Sequence, residues 1–310
     1  MRRRWCFHER RRLFFDAGLE KLYECLGCGL VFGLKYLEKF NPAELYDDYY
    51  RNETGMSVGR FRFGIEGVIK GFRFFRALKV FTLCGRGGKV LDIGCGRGWT
   101  LYFLKKFFGF RRIVGTQISY PAFKFAKDVL NLEVYRKDLL DLKLEKESFD
   151  GVTMWHVLEH VKETEKYLKK LNELIKNGGW LVIEVPNLKS WSRELSGKYW
   201  LGYDLKYHLT FFSEKTLKEI LKKHGFEVKT VRTFSLEYSM YISAQSLLSK
   251  LTGTDQLIFK YLQGQPTKSL PIVGHGILLS LLLPVCLVIN LGLYFSRRGE
   301  ILLVMARKVK

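Results

Sequence analysis

Through the middle of the chain, short apolar runs alternate with stretches of helical period. Residues 89–93, 112–118, 132–135, 149–155 and 180–185 are apolar or β-branched runs of strand length. Residues 100–108, 121–130, 163–176 and 213–224 repeat apolar positions at three- and four-residue spacing. Ser213 is placed to N-cap the last of these, while Gly178, Gly179 and Gly225 stand where helices stop. Such alternation predicts a parallel sheet with helices on both faces. Residues 226–233 and 301–308 supply two closing strands. The expected fold class is therefore α/β, a doubly wound, mostly parallel seven-stranded sheet with a small N-terminal head and an apolar helical insertion before the last strand.

The same pattern sets expected boundaries. Residues 1–55 form a basic, Cys-containing head, residues 59–237 with 299–310 the sheet domain, and residues 238–298 the insertion. From 269 to 296 there are 28 residues without a formally charged side chain, long enough to reach across a bilayer. A single span would strand residues 301–308 on the far side from their own sheet. Pro284 and Gly292 interrupt the run, so a short helical hairpin or an in-plane segment dipping into one leaflet is expected. A second reading packs this segment in the core or a dimer interface.

Directly after the first strand, Asp92 is followed by Gly94, Cys95, Gly96 and Gly98 in a G-x-G-x-G loop before a helix. Ligands of doubly wound sheets sit beyond the carboxyl ends of the strands, where glycines let the backbone approach them closely. A dinucleotide site would space its glycines G-x-G-x-x-G. The loop resembles instead the first motif of class I S-adenosylmethionine-dependent methyltransferases. Residues 112–122, ending the second strand at Gln117 and Ile118, are similar to that family's next motif. Asp138 and Leu139 resemble its adenine-edge motif, residues 149–161 around Trp155 its fourth-strand motif, and residues 178–187 its fifth strand. Residues 203–213 are similar to a segment typical of bacterial and archaeal members that carry a Cys-rich head and modify glycans, lipids or small metabolites. The resemblance implies S-adenosylmethionine as cofactor. Asp92, Gly94, Cys95, Gly96, Gly98, Gln117, Ile118, Asp138, Leu139 and Trp155 are the positions that would hold it. Gln117 departs from the pattern, because the family places an acid there to accept from both ribose hydroxyls. A neutral amide keeps one acceptor oxygen but loses the charge-assisted contact.

Direct methyl displacement needs alignment and water exclusion, and a base only for a poorly acidic hydroxyl or a protonated amine. For a hydroxyl acceptor the first choice of base is His208 and the second His156. His160 is a further candidate, although it and Glu159 equally suit capping of the next helix. His156 to His160 also spells H-x-x-E-H, but a zinc peptidase needs both histidines on one helix, and His156 ends a strand. In the head, Cys25 and Cys28 form a C-x-x-C that suits a zinc knuckle if Cys6 and His8 complete it.

Composition changes the picture in one respect. With 52 Lys and Arg against 31 Asp and Glu, the net charge of +21 favours anionic partners. The expected activity is O-methylation of a glycan, lipid-linked or small-metabolite acceptor at an anionic membrane surface, with a cytoplasmic location on the inner face of the cell membrane. RNA methylation is the alternative the charge favours, but neither an RNA-binding module nor an N-P-P-[FY] amine motif accompanies it, so nucleic acid ranks behind. An inactive membrane scaffold is the alternative raised by Gln117. The pattern leaves oligomeric state unspecified.

Overall fold

The computed structural model describes residues 9–16, 20–34, 65–254, 256–262 and 269–309. A seven-stranded sheet is built from β4 (Lys89–Ile93), β5 (Arg112–Thr116), β6 (Val134–Tyr135), β7 (Phe149–Trp155), β8 (Ile175–Pro186), β10 (Phe226–Arg232) and β11 (Ile301–Lys308). Its order is β10-β11-β8-β7-β4-β5-β6. The pairs among β8, β7, β4, β5 and β6 are parallel, and β11 runs antiparallel to both β10 and β8. This is the expected seven-stranded, mostly parallel architecture. Val90, Leu91, Val152, Leu181 and Ile183 are buried on its central strands, covered on both faces.

The helices are α1 (Ile65–Cys84), α2 (Trp99–Phe107), α3 (Tyr120–Lys124), α4 (Thr164–Leu174), α5 (Trp191–Ser196), α6 (Glu214–Lys223), α7 (Ser239–Thr252), α8 (Leu257–Leu262) and α9 (Ser269–Gly292). Ser213 caps α6 in a reciprocal box with Thr216, and Gly225 takes φ 79° just beyond its end. The expected helix at 121–130 is divided, because α3 passes into a π-turn at Phe125–Val129. β8 begins at Ile175 and takes in Gly178 and Gly179, with a register shift opposite Phe149 and Gly151. The glycine pair therefore lies inside a strand, where a bulge accommodates it.

A smaller antiparallel sheet, in the order β1-β2-β3-β9, joins β1 (Arg11–Asp16), β2 (Lys21–Cys25) and β3 (Val31–Gly33) to β9 (Thr210–Phe211). The strand at Thr210–Phe211 belongs to the segment after the fifth strand, so the head is hydrogen-bonded to the region beside the strand ends.

The apolar insertion corrects one expectation. No hairpin forms, because α9 continues as one helix through Pro284, about 36 Å long at 1.5 Å per residue. It packs along α7, burying Leu279 and Cys286 with Ala244 and Leu248. The opposite stripe, Val273, Ile277, Leu281, Val285 and Val288, is more than half exposed.

Candidate active site

The glycine loop leaves β4 at its carboxyl end. Gly94, Gly96 and Gly98 take φ values of 66°, 57° and 81°, a region that L side chains rarely enter. A Cβ on Gly94 would lie 2.6 Å from Val157 Cγ2, and one on Gly98 equally close to Leu132 Cδ1. The loop is thus pressed against the ends of the neighbouring segments, and Cys95 N–H donates to the Thr116 carbonyl at 2.9 Å. Asp92 is buried beneath it and accepts from Thr153 Oγ1 at 2.5 Å. Burial lifts its carboxyl to about 6, with Thr153, Arg76 and Arg73 pulling the other way.

The remaining predicted cofactor residues gather around the same strand ends. Gln117 and Ile118 lie just past β5. Gln117 Oε1 accepts from Ser119 N–H at 3.0 Å, and the Ile118 carbonyl accepts from Arg136 Nε at 3.3 Å. The departure at Gln117 therefore has a local consequence: its acceptor oxygen is engaged by its own turn. Asp138 accepts from Leu140 N–H at 2.9 Å and from the Tyr167 hydroxyl, and Leu139 is buried beside it. Trp155 ends β7 under the Arg76 guanidinium, 4.6 Å from ring centroid to Cζ. The indole nitrogens of Trp99 and Trp155 and the Ser119 hydroxyl are buried here without a protein hydrogen-bond partner. Close-packed glycines of positive φ at the carboxyl end of β4 fit a ligand that the backbone approaches closely, as S-adenosylmethionine would require.

Beyond Trp155 runs a largely buried chain of alternating charge. Arg73 pairs with Glu237, and Arg76 bridges Glu237 at 3.0 Å and Glu184 at 2.9 Å. His156 Nε2 lies 3.2 Å from Glu184 Oε1, and His156 Nδ1 lies 3.2 Å from Glu159 Oε1. Burial opposes charge on this imidazole, but the hydrogen bonds and charges of Glu159 and Glu184 outweigh it and lift His156 to about 9. Burial likewise works against ionised Glu184, which Arg76, His156 and Lys79 nevertheless draw down to about 2. His156 adopts φ 55°, an unusual backbone state held by this network. Arg73, Arg76, Glu184 and Glu237 were not foreseen. Glu184, a lone acid within an apolar strand, is the signal that could have revealed them.

Past Glu159 the chemistry changes. One ligand-type atom from each of Glu159, His160 and His208 lies within 4.8 Å of the other two. His160 Nδ1–H donates to the Tyr207 carbonyl at 3.0 Å, and His208 Nδ1–H donates to the Gly202 carbonyl at 2.9 Å. Burial first, then the neighbouring His208, lowers His160 to about 4, and burial lowers His208 as well. Glu159 is 1% exposed, and its Oε2 has no hydrogen-bond partner. The structure thus brings His156, His160 and His208 together through Glu159.

The predicted head metal ligands are only partly in view. Cys25 is buried at the end of β2 and Cys28 half-buried in the turn that leads to β3, where Gly29 N–H donates to the Cys25 carbonyl at 2.8 Å. Cys6 and His8 lie outside the described residues.

Comparison with known proteins agrees with this geometry. A family model described as a methyltransferase domain matches residues 70–231, a little over half the chain. The demethylmenaquinone methyltransferase of Staphylococcus saprophyticus is 31% identical over 101 residues, covering 31% of this chain and 43% of that protein. Its Staphylococcus aureus counterpart is 30% identical over 102 residues, covering 31% and 42%. The matched region thus spans less than half the length of these relatives. Among solved structures, the cyclase SpnF is similar with a TM-score of 0.54 and 17% identity, over 86% of this chain and 94% of that one. A Haemonchus contortus phosphoethanolamine N-methyltransferase in complex with S-adenosyl-L-methionine gives a TM-score of 0.53 at 17% identity, over 88% and 61%. At such identities these two likenesses speak for the fold alone.

Proposed function

The chain belongs to the methyltransferase-domain family, and on that premise we propose that it transfers a methyl group from S-adenosylmethionine to an oxygen of a glycan, lipid-linked or small-metabolite acceptor. The observation that carries the reading is the glycine loop at the end of β4, where Gly94, Gly96 and Gly98 take positive φ and a Cβ at Gly94 or Gly98 would collide with Val157 or Leu132. The cofactor supplies an electrophilic methyl. Asp92, the loop backbone and Asp138 would hold it, and Gln117 would meet the ribose through its amide N–H2, since its oxygen is engaged by Ser119. The name of the staphylococcal relatives, demethylmenaquinone methyltransferase, supports an apolar small-metabolite or lipid-like acceptor.

The histidines divide the remaining work. Each nitrogen of His156 faces a carboxylate, so this ring offers no lone pair and serves as a fixed donor. The Nδ1–H groups of His160 and His208 are committed to carbonyls, which leaves a lone pair on each Nε2. The proton of a hydroxyl acceptor therefore falls to the side of the cluster that holds His208.

The exposed stripe of α9 supports attachment to the inner, cytoplasmic face of the cell membrane. Because α9 lies along α7 and is followed within ten residues by β11, the helix would lie in the membrane plane rather than cross it. The excess of basic residues would favour anionic lipid.

Calorimetric titration with S-adenosylmethionine and S-adenosylhomocysteine tests the premise. Micromolar affinity, about −8 kcal/mol, is expected, and no heat of binding would turn the reading towards a scaffold. With binding established, His208→Ala should abolish methyl transfer to membrane lipid extracts while leaving cofactor affinity unchanged. Undiminished turnover in that variant would remove the histidine assignment.

A further inference from the structure

We propose that the cleft between the turn joining β2 to β3, the start of α6 and the turn before β11 binds the phosphomonoester headgroup of a membrane lipid. The cleft holds about 700 Å³, a ligand-sized space. Its charged lining divides into side chains that are already matched and side chains that are not. Glu24 pairs with Arg12, Glu214 with Lys218 and Arg298 with Glu194. Among the described residues, Lys189, Lys215 and Arg297 have no carboxylate partner, and Glu219 is the one lining acid without a cation. Three cations against one acid leave an excess of two positive charges. A phosphomonoester, with a charge of about −2 near neutrality, matches that excess, whereas a phosphodiester carries a single charge.

The backbones that carry these cations are fixed. Asn187, buried at the end of β8, accepts from Lys189 N–H through Oδ1 at 3.0 Å and donates through Nδ2 to the carbonyls of Arg297 at 3.2 Å and Gly299 at 2.8 Å. One amide thus fastens two of the three segments, and Arg297 is kept at φ 60°, where an L side chain rarely sits. Leu188 N–H donates to the Phe212 carbonyl at 2.9 Å, which ties the same segment to the start of α6 and so to Lys215. Backbones set in advance lower the ordering cost of binding an anion.

The neighbouring surface points to the source of the phosphate. The exposed apolar positions of α9 continue through Val288 and Leu291 to Phe295, 87% exposed, and residues 296–298 directly after it line the cleft. Acyl chains against the stripe and a headgroup in the recess reproduce the order of apolar and charged layers in one leaflet of a bilayer. The inference rests on the membrane attachment proposed above and adds a headgroup preference that general basic attraction lacks.

Flotation of the full chain with phosphatidylcholine vesicles containing either phosphatidic acid or phosphatidylglycerol, matched in surface charge, is the test. Phosphatidic acid should be bound about tenfold more tightly, as charge-assisted hydrogen bonds to its phosphate allow. Lys189→Gln combined with Lys215→Gln, both at exposed positions, should erase that preference. Lys143→Gln combined with Lys169→Gln, equally exposed and outside the cleft, removes the same charge and should leave the preference intact. Equal binding of both vesicles by the wild type would overturn the headgroup inference and leave membrane attachment standing. Calorimetric binding of inorganic pyrophosphate in that case would give the cleft to a soluble phosphate ester instead. Loss of the preference in the control pair would also overturn the inference, since bulk charge alone would then explain it. S-adenosylmethionine titration of the same samples, expected to be unaffected by either lysine pair, keeps this outcome apart from that of the transferase reading.

Discussion

α9 and β11 are neighbours in sequence, both strongly apolar, and the fold treats them in opposite ways. Ile301, Leu302, Leu303 and Val304 are each at most 1% exposed, whereas Ile277, Leu281 and Val288 are more than 60% exposed. The difference lies in the number of partners. β11 has β10 and β8 on its two edges and packed layers on both faces. α9 has α7 against one side, with smaller contributions from α5 and α8. Apolar composition states a demand for burial, and topology decides whether the chain itself can meet it.

The sharpest test places the same charge in each element. Leu302→Asp should cost at least about 4 kcal/mol, since an unpaired carboxylate would be buried between two strands, and urea unfolding would read the loss. Leu281→Asp should alter stability by no more than about 0.5 kcal/mol while abolishing flotation with anionic vesicles. A wild-type chain that ignores such vesicles would break the comparison, because the outer stripe would then have no membrane to meet.

The junction between the two elements gives the next largest effect. Glu300 is fully buried, and its Oε2 accepts from Ser192 Oγ at 2.7 Å and from Trp200 Nε1 at 3.3 Å. Burial raises its carboxyl to about 7, only partly offset by those hydrogen bonds. A raised folded-state value means the folded chain binds the proton more tightly than the unfolded one. Its contribution is therefore complete below the ordinary carboxylate range and is lost as pH rises through 7. Relative to Glu300→Gln, the wild type should lose about 3 kcal/mol between pH 4.5 and 8, measured as the difference between the two stability profiles. Parallel profiles would mean that Glu300 does not carry the proton.

A smaller effect tests the inner face of α9. Asn290 is fully buried, and its Nδ2 donates to the Cys286 carbonyl at 2.8 Å and to Ser243 Oγ of α7 at 2.9 Å. Asn290→Ala should cost about 1–2 kcal/mol. An unchanged midpoint in urea would mean that the pairing of α9 with α7 rests on apolar contact alone.

Much of the sheet could be read from the chain because its signals are local. Val90 and Leu91 before a glycine loop, and Ser213 at a helix start, carry their own geometry. The strand at 175–186 was read too short because Gly178 and Gly179 signal a helix end, and only pairing with β7 shows that they form a bulge. The charge chain was hidden for a different reason. Arg73 and Arg76 lie on a helix rich in basic residues, and their partners Glu184 and Glu237 are more than one hundred positions away. His208 was expected to serve as a base from its segment alone, whereas its place beside His160 follows from hydrogen bonds between segments and not from spacing. Of the two forms expected for the apolar run, a hairpin or an in-plane segment, the hairpin failed because Pro284 can be carried within a long helix at the loss of one backbone donor.

The position of β11 also sets the order in which the molecule can be assembled. Chains emerge from the ribosome from the N-terminus, so β8, β10 and the whole of α9 are made before residues 301–308 exist. Until that strand arrives, the edges of β8 and β10 that it joins are unpaired, and the sheet cannot close. The apolar helix is thus offered to its surroundings while its parent domain is still incomplete, before the catalytic sheet has formed.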